Sequence, residues 1–126
     1  MIRACFFNLA LALGAGPAMA VCLDANADVA VVDGRLSRGT FEDAAGRLEK
    51  AFILSLAAPT CLTGPDEFDD VPEAKRIHIY SSDATVAKTL PRFVGKTVVV
   101  HGRPFGAHTA HHHAPIVLDV KSIDGR

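Results

Sequence analysis

Apolar and polar residues change period several times along the chain, and the changes mark out its elements. Asp28 to Leu36 (DVAVVDGRL) is rich in β-branched residues and interrupted by Gly34, which predicts a strand with a bulge or bend in its middle. Ala51 to Leu56 (AFILSL) is a second apolar run of strand length, bounded by Pro59 and then a turn-rich loop from Cys61 to Pro72. The intervening Glu42 to Lys50 is polar and reads as a variable connection. Arg76 to Tyr80 (RIHIY) alternates, with Ile77 and Ile79 toward one face and His78 and Tyr80 toward the other, as in a half-buried strand. Ser81, Ser82 and Asp83 offer capping side chains before Ala84 to Leu90, a short helix-compatible run stopped near Pro91. Thr97 to His101 (TVVVH) predicts a fourth strand ending at Gly102. Ile116 to Val120 (IVLDV) predicts a fifth, with Ile116, Leu118 and Val120 on one face.

Three strands, a short helix and two further strands predict an all-β fold with one short helix. The glycine-bent first strand and the helix between the third and fourth strands match a small five-stranded OB-like Greek-key barrel. Closure also removes the exposed sheet edges that such short strands would otherwise present. A half-open β-sandwich or an α+β roll uses the same elements and is the competing architecture.

Residues 1–20 add a compartment. Arg3, the apolar run from Ala4 to Leu13, Gly16-Pro17 and the small-x-small Ala18-Met19-Ala20 have the build of a secretory signal peptide, so the mature chain is expected to be 21–126, one domain in the periplasm or outside the cell. The apolar run is about ten residues, short of the roughly twenty that cross a bilayer as a helix, and no later segment comes close. No membrane span is expected.

Cys5 leaves with the signal, and Cys22 and Cys61 remain as an even pair for an oxidising compartment, hence an expected disulfide. The alternatives are a lipid anchor on Cys22, disfavoured by Val21 before it, and a two-cysteine metal site with the histidines. The chain carries 13 Lys and Arg against 14 Asp and Glu, for a net charge of −1. Scattered basic residues at near-neutral charge argue against a nucleic-acid partner recognised through phosphate neutralisation.

The candidate chemistry is concentrated in HGRPFGAHTAHHHAPIVLDV, His101 to Val120, which holds five of the six histidines. Zinc, nickel or copper takes neutral imidazole nitrogens at about 2.0–2.1 Å, usually three or four to a site. In an extended segment His111 and His113 share a face while His112 points away, and His108 can return across a turn. The metal set is therefore His108, His111 and His113, with His101, Asp119 or water as fourth ligand. Against this stand two other readings: imidazoles that satisfy backbone groups of an irregular hairpin, and a pH-responsive interaction loop. His78 and His101, taken singly, read as structural or surface histidines.

The acidic stretch TGPDEFDDVPE lacks the alternating ligand order of a calcium loop and reads as a solvated turn. Phe41, Tyr80 and Phe93 read as core, whereas Phe105 sits in the histidine-bearing connection and, with His112, is a candidate ligand contact. No Gly-x-Ser-x-Gly turn or distinct carboxylate pair supports an enzyme. The function expected is that of a binding module that presents Gly102 to Pro115 to an envelope protein or saccharide. The alternative is a structural or interaction domain whose histidines only stabilise the loop.

The run LPRFVGKTVVVHGRPFGAHTAHHHAPIVLDV resembles the signature of a bacterial secreted family, the domain of unknown function 4431 family. Its pattern falls on Gly95, Lys96, Gly102, Phe105, Ala107, His108, Thr109, His111, His112, His113 and Pro115. The family has no assigned activity, so the resemblance implies a compartment and motif boundaries and nothing about a reaction. Ala110 stands where the pattern typically has glycine. If that turn needs a left-handed backbone, Ala110 costs on the order of 1 kcal/mol. The connection after Phe41 is also shorter than the proline-rich one of the family.

Overall fold

The computed structural model describes residues 21–126, so the expected signal and its cleavage point lie outside the described residues. Six strands follow in order: β1 (Leu23–Asp24), β2 (Val29–Glu42), β3 (Leu48–Thr63), β4 (Val71–Tyr80), β5 (Thr97–Gly106) and β6 (Ile116–Gly125). One helix, α1 (Ala84–Thr89), runs into a 3-10 turn at Leu90–Phe93, and a second 3-10 turn at Glu67–Asp69 lies between β3 and β4. The sheet order is β1-β3-β2-β5-β6-β4, and β3 also pairs with β4, which closes β2 to β6 into a barrel. The β4–β6 pairing is parallel and the other barrel pairings are antiparallel. This is the five-stranded Greek-key arrangement predicted from the pattern, with the helix between the third and fourth barrel strands and the short β1 added beside β3.

The alternation read from the sequence places the core. Ile77 and Ile79 of β4, Val98 and Val100 of β5, and Ile116, Leu118 and Val120 of β6 are fully buried inside. Each such side chain contributes about 1.5–3 kcal/mol of burial free energy. Asp83 caps α1 by accepting from the Thr85 and Val86 N–H groups, as expected. The turn after it places Leu90, 1% exposed, in the same core. At the predicted bend the β2–β5 register shifts between Val31 and Gly34, and Asp33 takes φ 59. A Cβ on Gly34 would stand 2.4 Å from the Leu54 side chain, so the glycine makes room for that core residue.

The strands outrun their predicted bounds. Glu42 to Lys50 is a hairpin: β2 and β3 pair down to Glu42↔Leu48, and Asp43 ties the turn by accepting from the Ala45 and Arg47 N–H groups, both at 2.9 Å. These outer pairs lack an apolar face toward the core, so hydrophobic periodicity does not mark them. Likewise β5 continues through Gly106, which shortens the histidine-bearing loop to 107–115.

Sidedness also corrects one aromatic expected in the core, Tyr80, and sets it beside the candidate contact Phe105. Tyr80 and Phe105 lie on the outside of the barrel, exposed and half-buried respectively, because they share the parity of His78 and His101. Strand register sets Ser37, Ile53, His78, Val117 and Phe105 in one row across the outer face. Val117 is fully buried within that row, and Ala51, Ile53 and Ala114, with Phe41 packed against them, form a small second core outside the barrel. Ala114 belongs to loop 107–115, so the loop is folded down onto the wall.

Cys22 and Cys61 form the expected disulfide, with Cα atoms 4.6 Å apart, which ties β1 to the end of β3. The Cys22 sulfur is thereby committed, leaving no role for it in lipidation or metal ligation. Among the described residues no helix is long and apolar enough to cross a membrane.

Candidate functional site

Loop 107–115 is closed at its base by the Ala107 N–H, which donates to the Pro115 carbonyl at 3.0 Å. A turn inside it follows from the His112 N–H donating to the Thr109 carbonyl at 3.1 Å and the His111 N–H donating to Thr109 Oγ1 at 3.2 Å. Among the described residues, positive φ outside glycine occurs at Asn26 and Asp33. Ala110 therefore meets no left-handed strain, and the glycine of the family pattern is not required here.

The imidazoles divide the remaining polar groups among themselves. Nδ1 of His112 accepts from the His108 and Thr109 N–H groups at 3.0 and 3.3 Å. Nδ1 of His78, on β4, accepts the His113 N–H at 3.2 Å and so joins loop to barrel. Nδ1 of His108 lies 2.9 Å from the Gly106 carbonyl; since a carbonyl only accepts, that nitrogen carries the proton. Glu49 of β3 receives two histidines at once: His113 Nε2 is 2.5 Å from one oxygen and His111 Nδ1 is 2.8 Å from the other. His113 is nearly enclosed, with 8% of its side chain exposed, and stacks on Phe41 at 4.5 Å and 8° between planes.

These contacts set the charge states. Hydrogen bonds from His113 and then His111 hold the Glu49 carboxyl below the usual range. Burial, reinforced by His113 and His112, pushes His78 down to about 4 against an ordinary 6.5, although Glu49 pulls the other way. Burial first, and then His108, His111 and His113, also lowers His112. His78 and His112 are therefore neutral at physiological pH, the state their accepting Nδ1 atoms require.

The rings form a continuous array across the outer face. From Phe41 it passes to His113, to His78 (5.7 Å between centroids), to His112 (6.4 Å), and to Phe105 (5.3 Å). Phe105 also meets Tyr80 edge-on at 6.3 Å and His108 at 5.5 Å, and His108 lies 4.4 Å from Phe68. The acidic loop thus supplies a ring to the site as well as a structural bond: buried Asp69 accepts the Gly106 N–H at 3.0 Å, while its other oxygen has no hydrogen-bond partner.

The predicted site residues fall into separate places. His111 and His113 do share a side, on Glu49. His112 turns toward the Phe105 and His108 rings. His108 does not join His111 and His113; it is held by Gly106 between Phe68 and Phe105. His101 is exposed on β5, and Asp119 is occupied by the N–H and hydroxyl of Ser82 at 2.9 and 2.8 Å. Among the described residues no group of three or more His, Cys, Asp or Glu side chains is placed to hold a metal ion. The residues present do not fit zinc, nickel or copper without rearrangement.

Titration of the tag-free protein with these ions is expected to give weak binding of several equivalents, as any histidine-rich surface does. One tight stoichiometric site that His111→Ala abolishes would show that the loop regroups around a metal.

Two members carry little signal in the sequence: His78 reads as an isolated histidine, and Glu49 falls in a stretch that reads as a connection. Strand parity carries the only signal for Glu49: it shares a face with Ala51 and Ile53, and register sets Ile53 beside His78.

Comparison with known proteins bears on this same region. Residues 76–124 match the profile of DUF4431, a domain of unknown function, as the sequence resemblance implies. No curated protein matches the chain. Among solved structures the chain is similar to a small single-stranded DNA-binding protein from Streptomyces coelicolor. The identity is 15%, over 80% of this chain and 93% of that one, with a TM-score of 0.47.

Proposed function

We propose that this protein is a secreted binding module of the cell envelope that recognises a neutral saccharide on the ring array of loop 107–115 and the neighbouring barrel wall. The observation that carries the reading is the array itself: eight aromatic and imidazole rings in mutual contact on one face, several of them half-exposed. Barrels of this topology commonly bind through the face of their second and third strands and the adjoining loops, the surface occupied here by Glu49, His78 and the histidine loop. Ring faces suit the apolar side of a sugar, and imidazole N–H groups and carboxylates at the border suit its hydroxyls. Among the described residues, no ring or hydrogen-bond partner of the array is Lys or Arg, and Glu49 stands at its edge, a poor setting for the phosphates of a nucleic acid. The Met1–Ala20 signal pattern and the disulfide support the compartment.

A second reading is favoured by a specific observation: ring nitrogens of His78 and His112 satisfy backbone groups of the loop, and that of His108 satisfies the Gly106 carbonyl at its base. On that reading the histidines fix the loop and no small ligand binds. Calorimetric titration with soluble peptidoglycan fragments, a neutral polysaccharide and a single-stranded oligonucleotide separates the two. Tyr80 and Phe68 are 38% and 39% exposed, so alanine there should leave stability within about 1 kcal/mol. Loss of one stacking ring should weaken saccharide binding roughly tenfold. No heat with any saccharide would leave the structural reading in front, and oligonucleotide binding alone would reverse the choice of ligand.

A further inference from the structure

Loop 107–115 is held by backbone N–H groups that donate to bare imidazole nitrogens. The His113 N–H reaches Nδ1 of His78 on β4, and the His108 and Thr109 N–H groups converge on Nδ1 of His112. An imidazole nitrogen accepts in this way only while it has no proton, because the imidazolium form has two N–H groups and no lone pair. We propose that loop 107–115 is an acid-released latch, in which protonation of His78 and His112 turns these three N–H···N bonds into opposed N–H groups and lifts the loop from the outer face of the barrel.

The surroundings of both histidines favour release. His78 faces His113 and His112 from the loop and Glu49 from β3. His112 faces His108, His111 and His113 of its own loop, and the uncharged Phe105 ring from β5. Protons added to this cluster set imidazolium against imidazolium, while Glu49, through His111 and His113, and Asp43 of the β2–β3 turn, through His111, pull the loop back. Burial and these neighbours hold the His78 pKa at about 4 in the latched state, whereas a released histidine returns toward 6.5. Between those values the released loop binds more protons than the latched one, so falling pH favours release and the latch is complete above 6.5. His112 shifts in the same direction and adds to the effect. Release would uncover Ala51 and Ile53, against which Ala114 packs. The latch stands on the loop's own bonds; that it also dismantles a ligand surface rests on the binding reading above.

Proton–nitrogen NMR of the full chain, titrated from above pH 6.5 down to about 4, tests it. The amide signals of His108, Thr109 and His113 should lose their hydrogen-bonded positions in step with titration of the His78 and His112 rings, while those of Val98 and Leu118 stay in place. The double variant His78→Asn with His112→Asn sets an amide oxygen near each Nδ1 position that does not protonate in this range, and should keep the loop closed throughout. Ring titration in the wild-type protein with the loop amides unmoved would overturn the latch. So would release of the double variant at an unchanged midpoint, which would assign the switch to Glu49. The readout needs no ligand, so a clean transition in a protein that binds no saccharide would sink the binding reading alone.

Discussion

Gly106→Ala is expected to lower the stability of the protein by about 3–5 kcal/mol, combining overpacking with loss of a buried hydrogen bond. A Cβ at this position would lie 1.4 Å from the Phe68 carbonyl oxygen and 2.3 Å from its carbon, so the collision is with backbone and no rotamer relieves it. The acidic loop would have to leave β5. With it would go the bond from the Gly106 N–H to buried Asp69 and the packing of Phe68 on His108. Gly46 offers the control. Its φ of 76 is unfavourable for alanine, but a Cβ there meets nothing within 4 Å, so Gly46→Ala should cost only about 1 kcal/mol. Urea unfolding of the two variants measures the contrast, and equal costs would mean that the 64–70 loop can shift without penalty.

Opening the Cys22–Cys61 disulfide is the other large effect. The bridge spans a sequence separation of 39, for which the chain-entropy model assigns about 4 kcal/mol to restriction of the unfolded chain. A loss of about 2–4 kcal/mol is expected for the double serine variant, since measured values often fall below the model. The two-residue β1 should detach first, because β3 is its one sheet partner and it reaches the core through only a partly buried Leu23. Denaturant midpoints with and without reductant provide the measurement. A change smaller than about 1 kcal/mol would imply that the reduced chain keeps this loop closed when unfolded.

The barrel was legible because its strands announce themselves by burial. The alternation at Ile77 and Ile79 and at Ile116, Leu118 and Val120 survives unchanged in the structure, as do the Asp83 cap and the bend at Gly34. The ends of β2 and β3 were not legible. Beyond the core these strands are held mainly by backbone hydrogen bonds, which any non-proline residue can make. The histidine tract was visible as a location, but the meeting of His111 with His113 was not, because residues 109–112 form a turn and the carboxylate both rings share comes from β3. Nor was the departure of His108, because it depends on the carbonyl of Gly106 and on a ring from the distant acidic loop.

Local pattern by itself thus determined the order of the elements, the inward faces of the later strands, the cysteine pair and the segment where the unusual chemistry is concentrated. Each is a property of neighbouring residues or of a period of two. Tertiary structure alone decided what the histidines do. Register across β3, β4, β6 and β5 sets Ile53, His78, Val117 and Phe105 in one row, and the hairpin brings Glu49 to the same face. There a carboxylate takes up two of the loop's imidazoles, each more than sixty residues away in sequence. Whether an imidazole nitrogen ligates, donates or accepts depends on which atom lies about 3 Å away, and the closing of the barrel chooses that atom.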